Sequence, residues 1–339
     1  MLKHLKSDHR SDLGLYVGHM GIIYSFAYIS NDFAWMRYIG DVKGRERVTF
    51  LEGGIYFATV TKNFPELLEI SNVALNLPPL ECELLYGRSG CLHGLLFAAK
   101  REPTWNLKDP IFSLAKQIID GSVTQYSDLL MWKWHNKAYL GAIHGTAGIL
   151  FVLLSCPTEL LISIDPAIHR KIKYTVDFIL QNYTLASGNI QSTVENASDR
   201  LVHFCHGAPG WIPLICRMAE IYPTDDSYRS HALRFGELVW ERGLLNGKGP
   251  GLCHGISGSI CSLLELYSWS GDRKWLIRAQ WFAYYLSKSW FHLAEHADNP
   301  YSLFEGIAGA YYAISIVHKL LREPTFTRPH TSWFPGLGI

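Results

Sequence analysis

A recurrence of Gly-x-x-Gly constrains this chain more than any other feature. It appears as Gly18-His-Met-Gly21, Gly87-Arg-Ser-Gly90, Gly145-Thr-Ala-Gly148, Gly207-Ala-Pro-Gly210, Gly255-Ile-Ser-Gly258 and Gly306-Ile-Ala-Gly309, with a degenerate copy expected at Gly53-Gly54. From Gly87 onward the step is roughly 50 to 60 residues, the length of a helical hairpin with its loops. The later motifs each lead into an apolar run: Ile149 to Leu154, Trp211 to Cys216, Ser259 to Leu264 and Ala310 to Ile316. Helices apolar nearly all round are buried ones. Between them lie amphipathic segments. Lys171 to Tyr183 carries Ile172, Val176, Ile179, Leu180 and Tyr183 at helical spacing, and Asp272 stands where it would cap an aromatic-rich helix over Arg273 to Trp290. Buried helices alternating with half-exposed ones fit a closed ring of inner helices inside an outer ring. An open solenoid satisfies the same pattern.

Two of the glycine motifs carry chemistry. His203-Phe-Cys-His-Gly-Ala-Pro-Gly210 and Gly251-Leu-Cys-His-Gly255 place Cys-His-Gly before two helices, with Cys205 and Cys253 about 48 residues apart. Cys and neutral His are the usual ligands of zinc, which takes three protein ligands plus an open position in catalytic sites. Cys205, Cys253 and His254 are the expected ligands. An isolated cysteine in a helical protein is more often a small buried hydrophobe; duplication of the motif argues against that here. If the repeats close into a ring, the turns gather at one end, and His144, Cys205, His206, Cys253, His254 and Glu305 line one mouth.

Composition narrows the class. The chain has 339 residues, is 48% hydrophobic and carries a net charge of +1. That is enough for a large core, and it speaks against a nucleic-acid partner. The longest uncharged apolar run, Ala147 to Cys156, is too short to span a membrane as a helix. The first ten residues hold no apolar signal core and no Met-Gly start for myristoylation. Seven scattered cysteines do not make a disulfide framework. The expected compartment is the cytoplasm.

Taken together, Glu83-Leu-Leu-Tyr-Gly-Arg88, Gly141-Ala-Ile-His-Gly-Thr-Ala-Gly148, the two Cys-His-Gly segments and Ser302-Leu-Phe-Glu-Gly-Ile-Ala-Gly309 resemble the eukaryotic LanC-like proteins, relatives of the bacterial lanthionine synthetase C cyclases. The stretch Ser187 to Asp199 is most similar to the third animal subgroup. The resemblance implies an all-α fold, an α/α toroid of about six to seven hairpin repeats with the first ones shortened, in one domain over residues 1–339. It implies one zinc ion held by Cys205, Cys253 and His254. It implies addition of a thiol, glutathione or another small thiol, to dehydroalanine or dehydrobutyrine in proteins or peptides. Lys248 matches a lysine linked in the family to glutathione binding. His144 is the first choice for the acid that protonates the product, since histidine titrates near neutral pH, and His206 the second. Glu295 stands where relatives carry an arginine, so an inactive zinc- and glutathione-binding scaffold or adaptor is the alternative. A carbohydrate-active helical barrel, built on carboxylates such as Glu83, Asp199 and Glu305, is the third reading.

Overall fold

The computed structural model describes residues 49–123, 128–323, 332 and 334. Among them run twelve helices: α1 (Thr49–Val60), α2 (Phe64–Leu75), α3 (Arg88–Arg101), α4 (Lys108–Asp120), α5 (Thr146–Leu153), α6 (Thr158–Ile164), α7 (Ile168–Asn182), α8 (Ala208–Ile221), α9 (Asp226–Arg242), α10 (Ile256–Ser270), α11 (Arg273–Ala294) and α12 (Ile307–Arg322). The described residues form no sheet, only isolated β-bridges in the loops.

Two classes of helix follow from the two sequence patterns. In α3 every residue from Arg88 to Ala98 is buried, and in α5 all eight are. In α7 only Ile168, Ile172, Thr175, Val176, Ile179 and Leu180 are buried, a single face at helical spacing. The buried helices touch one another in chain order: α1 with α3, α3 with α5, α5 with α8, α8 with α10, and α10 with α12. The outer helices α2, α4, α9 and α11 pack behind them, each against the inner helix before it. Side-chain caps start three outer helices. Asn63, Asp225 and Asp272 accept from the backbone N–H groups of Glu66, Ser227 and Lys274.

The inner helices start differently. Their N-caps are Gly87, Gly145, Gly207, Gly255 and Gly306, which have no side chain of their own to cap with. Crowding explains the second glycine of four of these motifs. A Cβ on Gly148, Gly210, Gly258 or Gly309 would lie 1.8, 2.1, 2.2 or 2.2 Å from the carbonyl oxygen six residues earlier. The preceding loop folds directly over the helix start, and only glycine leaves room for it. Gly207 also has φ of 124°, a conformation side chains rarely adopt.

These loops are strung together. Leu84 N–H donates to Ile143 O at 3.1 Å, Cys205 N–H to Cys253 O at 3.0 Å, and Cys253 N–H to Phe304 O at 2.8 Å. Gly141 packs so close to the Cys205 carbonyl that a Cβ there would sit 1.9 Å from the oxygen. Five helix-opening turns, around 84, 143, 205, 253 and 304, therefore form one continuous belt at one end of the inner helices.

Two expectations change. Gly53 and Gly54 lie inside α1 rather than in a helix-opening turn. Gly54 instead serves helix packing: a Cβ would stand 2.8 Å from Ile70 Cδ1 of α2. The short helix α6 is an element the sequence reading did not contain. The Gly18–Gly21 motif and the shortened first repeats lie outside the described residues. No single described helix is long and apolar enough to cross a membrane.

Candidate metal centre

The belt of turns delivers the cysteines. Cys205 and Cys253 each stand two residues ahead of an inner-helix N-cap glycine, Gly207 and Gly255. The backbone bond between them sets the two turns side by side. His254 follows directly. One donor atom from each of Cys205, Cys253 and His254 lies within 4.8 Å of the other two. The thiols are almost fully buried, at 4% and 9% exposure.

The electrostatics of this cluster favour one ionised sulfur, that of Cys205. Burial opposes ionisation of Cys205, but hydrogen bonds from Cys253, His203 and His254 outweigh it and hold that thiol well below its ordinary range. Cys253, donating to the Cys205 sulfur and buried, is pushed well above its own. The same Cys205 sulfur raises His254. Two soft sulfurs and an imidazole, close-set and shielded from water, are a donor set that suits zinc and suits magnesium or calcium poorly.

A second group stands beside it. His144, ahead of the α5 cap, receives or gives a hydrogen bond through Nδ1 to Glu83 Oε2 at 2.8 Å. Glu83 is 2% exposed and anchored by the backbone N–H groups of Leu85 and Tyr86. Trp134 lies flat on His144, with ring centroids 4.3 Å apart and 2° between planes. A tight turn presents it: Trp134 pairs with Lys137 across His135 and Asn136, at φ of 47° and 61°. His206 is 6.0 Å from His144 between ring centroids. Burial lowers its pKa, and its Nδ1 has no hydrogen-bond partner among the described residues.

The sequence-predicted residues therefore divide. Cys205, Cys253 and His254 converge, and His144 and His206 flank them. Lys248 is exposed on the loop leading to Cys253, close enough for its charge to oppose the rise at His254. Glu305 reaches the same mouth, grouping with His254 and Asp298 within 4.8 Å. Glu295 does not. It ends α11, largely exposed, 3.3 Å from His292. Of the carboxylates of the carbohydrate reading, Asp199 is held by Arg242 at 3.0 and 3.1 Å and Glu83 by His144, which leaves Glu305 alone at the mouth without a carboxylate of that set opposite it.

Three residues in this constellation had no such role in the sequence reading. Glu83 had a signal, an acidic residue just ahead of an inner-helix glycine. His203 had one too, standing in the Cys-His-Gly segment itself. Trp134 sits in an irregular loop with no motif, and only the fold brings it to His144.

An α/α toroid whose helix-opening turns gather two cysteines and two histidines is a specific class of protein. The chain belongs to the lanthionine synthetase C-like family, whose model matches residues 1–319. It is 34% identical over 241 residues to glutathione S-transferase LANCL1 of Danio rerio, covering 69% of this chain and 58% of that one. It is 31% identical over 236 residues to LanC-like protein GCL1 of Arabidopsis thaliana, covering 67% and 53%. These matches thus span little more than half the length of either relative. In three dimensions it resembles nisin cyclase, with a TM-score of 0.68 at 17% identity over 99% of this chain and 94% of that one. That likeness gives the α/α toroid fold.

Proposed function

We propose that this protein adds a small thiol, glutathione first among them, to dehydroalanine or dehydrobutyrine residues of proteins or peptides, and that it needs one zinc ion to do so. The observation that carries this reading is the convergence of Cys205, Cys253 and His254, each offering a donor atom within 4.8 Å of the others. The names of its relatives, a glutathione S-transferase and a cyclase, agree with carbon–sulfur bond formation. All seven cysteines are free, which suits a reducing compartment such as the cytoplasm.

The three residues would hold the ion and leave its fourth position open toward the mouth. Zinc, when bound, lowers the pKa of a thiol so that it is ionised at neutral pH. In the reaction the thiol sulfur bonds to the β-carbon of the dehydroamino acid, the double bond's electrons move toward the carbonyl, and Cα takes a proton. His144 supplies that proton. Glu83 occupies its Nδ1, which leaves Nε2 as the working nitrogen, and Trp134 fixes the plane of the ring. His206, 6.0 Å from His144 between ring centroids, is the second candidate. Lys248 at the lip attracts a carboxylate of the thiol substrate. Its loop is fixed where Gly249 packs on the Glu305 carbonyl, leaving 2.2 Å for a Cβ.

One observation favours a second reading, a zinc-holding scaffold without turnover. Glu295, at the position where the family resemblance implies an arginine, pairs with His292 and offers no positive charge. Intact-mass spectrometry of a dehydroalanine peptide, incubated with zinc-loaded protein and glutathione, separates the two. The proposal expects a glutathione adduct that disappears with Cys253→Ala. A folded, zinc-replete protein that forms no adduct would establish the scaffold.

A further inference from the structure

Helix α11 turns the wrong residues to solvent. An outer helix should bury an apolar face and expose a polar one. Ala279, Phe282, Leu286 and Leu293 of α11 do face the core. The opposite face carries Ile277, Trp281, Tyr284, Lys288 and Phe291, spaced four, three, four and three residues apart. The four apolar members are 47%, 60%, 59% and 68% exposed. Beside this stripe runs a groove of about 350 Å³, walled by Trp240, Leu244, Phe282 and Tyr285 together with the stripe itself. Monomeric soluble proteins rarely leave so continuous an apolar strip in water.

We propose that α11 packs antiparallel against α11 of a second copy of this chain, about a two-fold axis at Tyr284. The alternating four–three spacing is that of a helix–helix seam, which keeps one narrow face toward a partner helix. The stripe is also self-complementary, as a two-fold interface requires. Centred on Tyr284, an antiparallel pair sets Ile277 level with the partner subunit's Phe291. It sets Trp281 within one residue's rise of the partner subunit's Lys288, a cation over the aromatic face. The two Tyr284 rings meet at the axis.

The area reaches the lower end of what a stable dimer buries, about 1,200 Å² in total. At 150–250 Å² per aromatic side chain, the exposed parts of the stripe and of Trp240 and Leu244 amount to on the order of 600 Å² per copy. An ordinary interface takes about 800 Å² from each partner.

Charge argues against a lipid surface as the occupant. A surface helix that binds anionic lipid needs a row of available cations along its apolar face. On α11, Lys274 and Arg278 are both held by Glu237, at 3.0 and 2.7 Å, and both lie over the Trp275 ring. They are engaged within the subunit, and Lys288 lies over its own Tyr284 ring, 5.7 Å from the centroid.

Sedimentation velocity on the full chain, up to about 50 µM, tests this. The wild type is expected at twice 38.4 kDa and Trp281→Glu at 38.4 kDa, with unchanged helical circular dichroism. Tyr284→Cys gives an independent reading, because the native cysteines are all buried. Mild oxidation should link two copies through that one thiol, and reductant should release them. A wild type that stays monomeric throughout overturns the proposal. If that monomer also pellets with phosphatidylcholine–phosphatidylserine vesicles in a Trp281-dependent way, the stripe belongs to a membrane surface instead. A dimer unchanged by Trp281→Glu, or one in which Tyr284→Cys does not cross-link, also overturns it.

Discussion

The main-chain N–H of Cys205 donates to the carbonyl of Cys253 at 3.0 Å. Two thiols that are about 48 residues apart in the chain are thus brought together by backbone pairing between adjacent turns. The site is a property of the belt of glycine turns, and its behaviour should follow the belt.

Crowding at the helix starts makes the first prediction. Gly258→Ala would place a methyl 2.2 Å from the Leu252 carbonyl oxygen and 3.0 Å from the Phe204 Cβ. The loop carrying Cys253 must shift. A loss of about 1–3 kcal/mol in unfolding free energy and weaker metal binding are expected from denaturant titration and chelator competition. Gly271→Ala, with nothing within 4 Å but a φ of 69°, should cost stability through backbone strain alone and leave metal binding intact.

The second concerns Asn189, a buried side chain that caps α8 from outside the helix. Its Oδ1 accepts from Ala208 N–H at 2.8 Å, and its Nδ2 donates to Leu201 O at 2.9 Å. Asn189→Ala leaves both groups without their partner. Chemical denaturation should show a loss of about 1–3 kcal/mol, and a change under a few tenths would remove the capping role.

The third concerns proton delivery. Glu83→Gln keeps the shape of the side chain but removes the carboxylate at His144 Nδ1. Adduct formation should fall by about 10²-fold or more with His144→Gln and by less with Glu83→Gln, while zinc content stays at one per chain in both. Zinc lost together with activity in His144→Gln would assign it to the metal instead.

The fourth is a pH dependence of the zinc-free protein. The Cys205 thiol is held low, so its contribution to stability is present above the unfolded thiol pKa and is lost as pH falls through the folded value. His254 is held high, so its contribution is present below the unfolded imidazole pKa and is lost as pH rises through the folded value. Both contributions coexist only between the two folded values. Thiolate absorbance near 240 nm should set in below the ordinary thiol pKa of about 8.5 and vanish on further acidification. Cys205→Ser should remove this early onset. An apoprotein whose thiolate band appears only at or above the ordinary value contradicts the hydrogen bonding of the Cys205 sulfur.

The repeat made the fold legible. Gly87, Gly145, Gly207, Gly255 and Gly306 mark inner-helix starts because the loop ahead of each helix leaves no room for a side chain nearby. That is a local demand a sequence can display. Asp272 was legible as a cap for the same reason. Gly53-Gly54 misled because a glycine that admits Ile70 to a helix flank looks the same in sequence as one that opens a helix. The metal cluster was legible through duplication of Cys-His-Gly. Trp134 was not, since its contact with His144 depends on where an irregular loop lands. The pairing of Glu83 with His144 spans 61 residues and depends on Leu84 bonding to Ile143 across neighbouring turns.

The central claim is that Cys205, Cys253 and His254 hold a single zinc ion whose open position receives the thiol. Zinc content by plasma mass spectrometry, combined with zinc-edge X-ray absorption with and without glutathione, tests it most directly. The account predicts one zinc per chain, two sulfurs at about 2.3 Å and one nitrogen at about 2.0 Å, a third sulfur when glutathione is added, and loss of the ion in Cys253→Ala. Zinc retained in Cys253→Ala, or a sulfur count unchanged by glutathione, would contradict it.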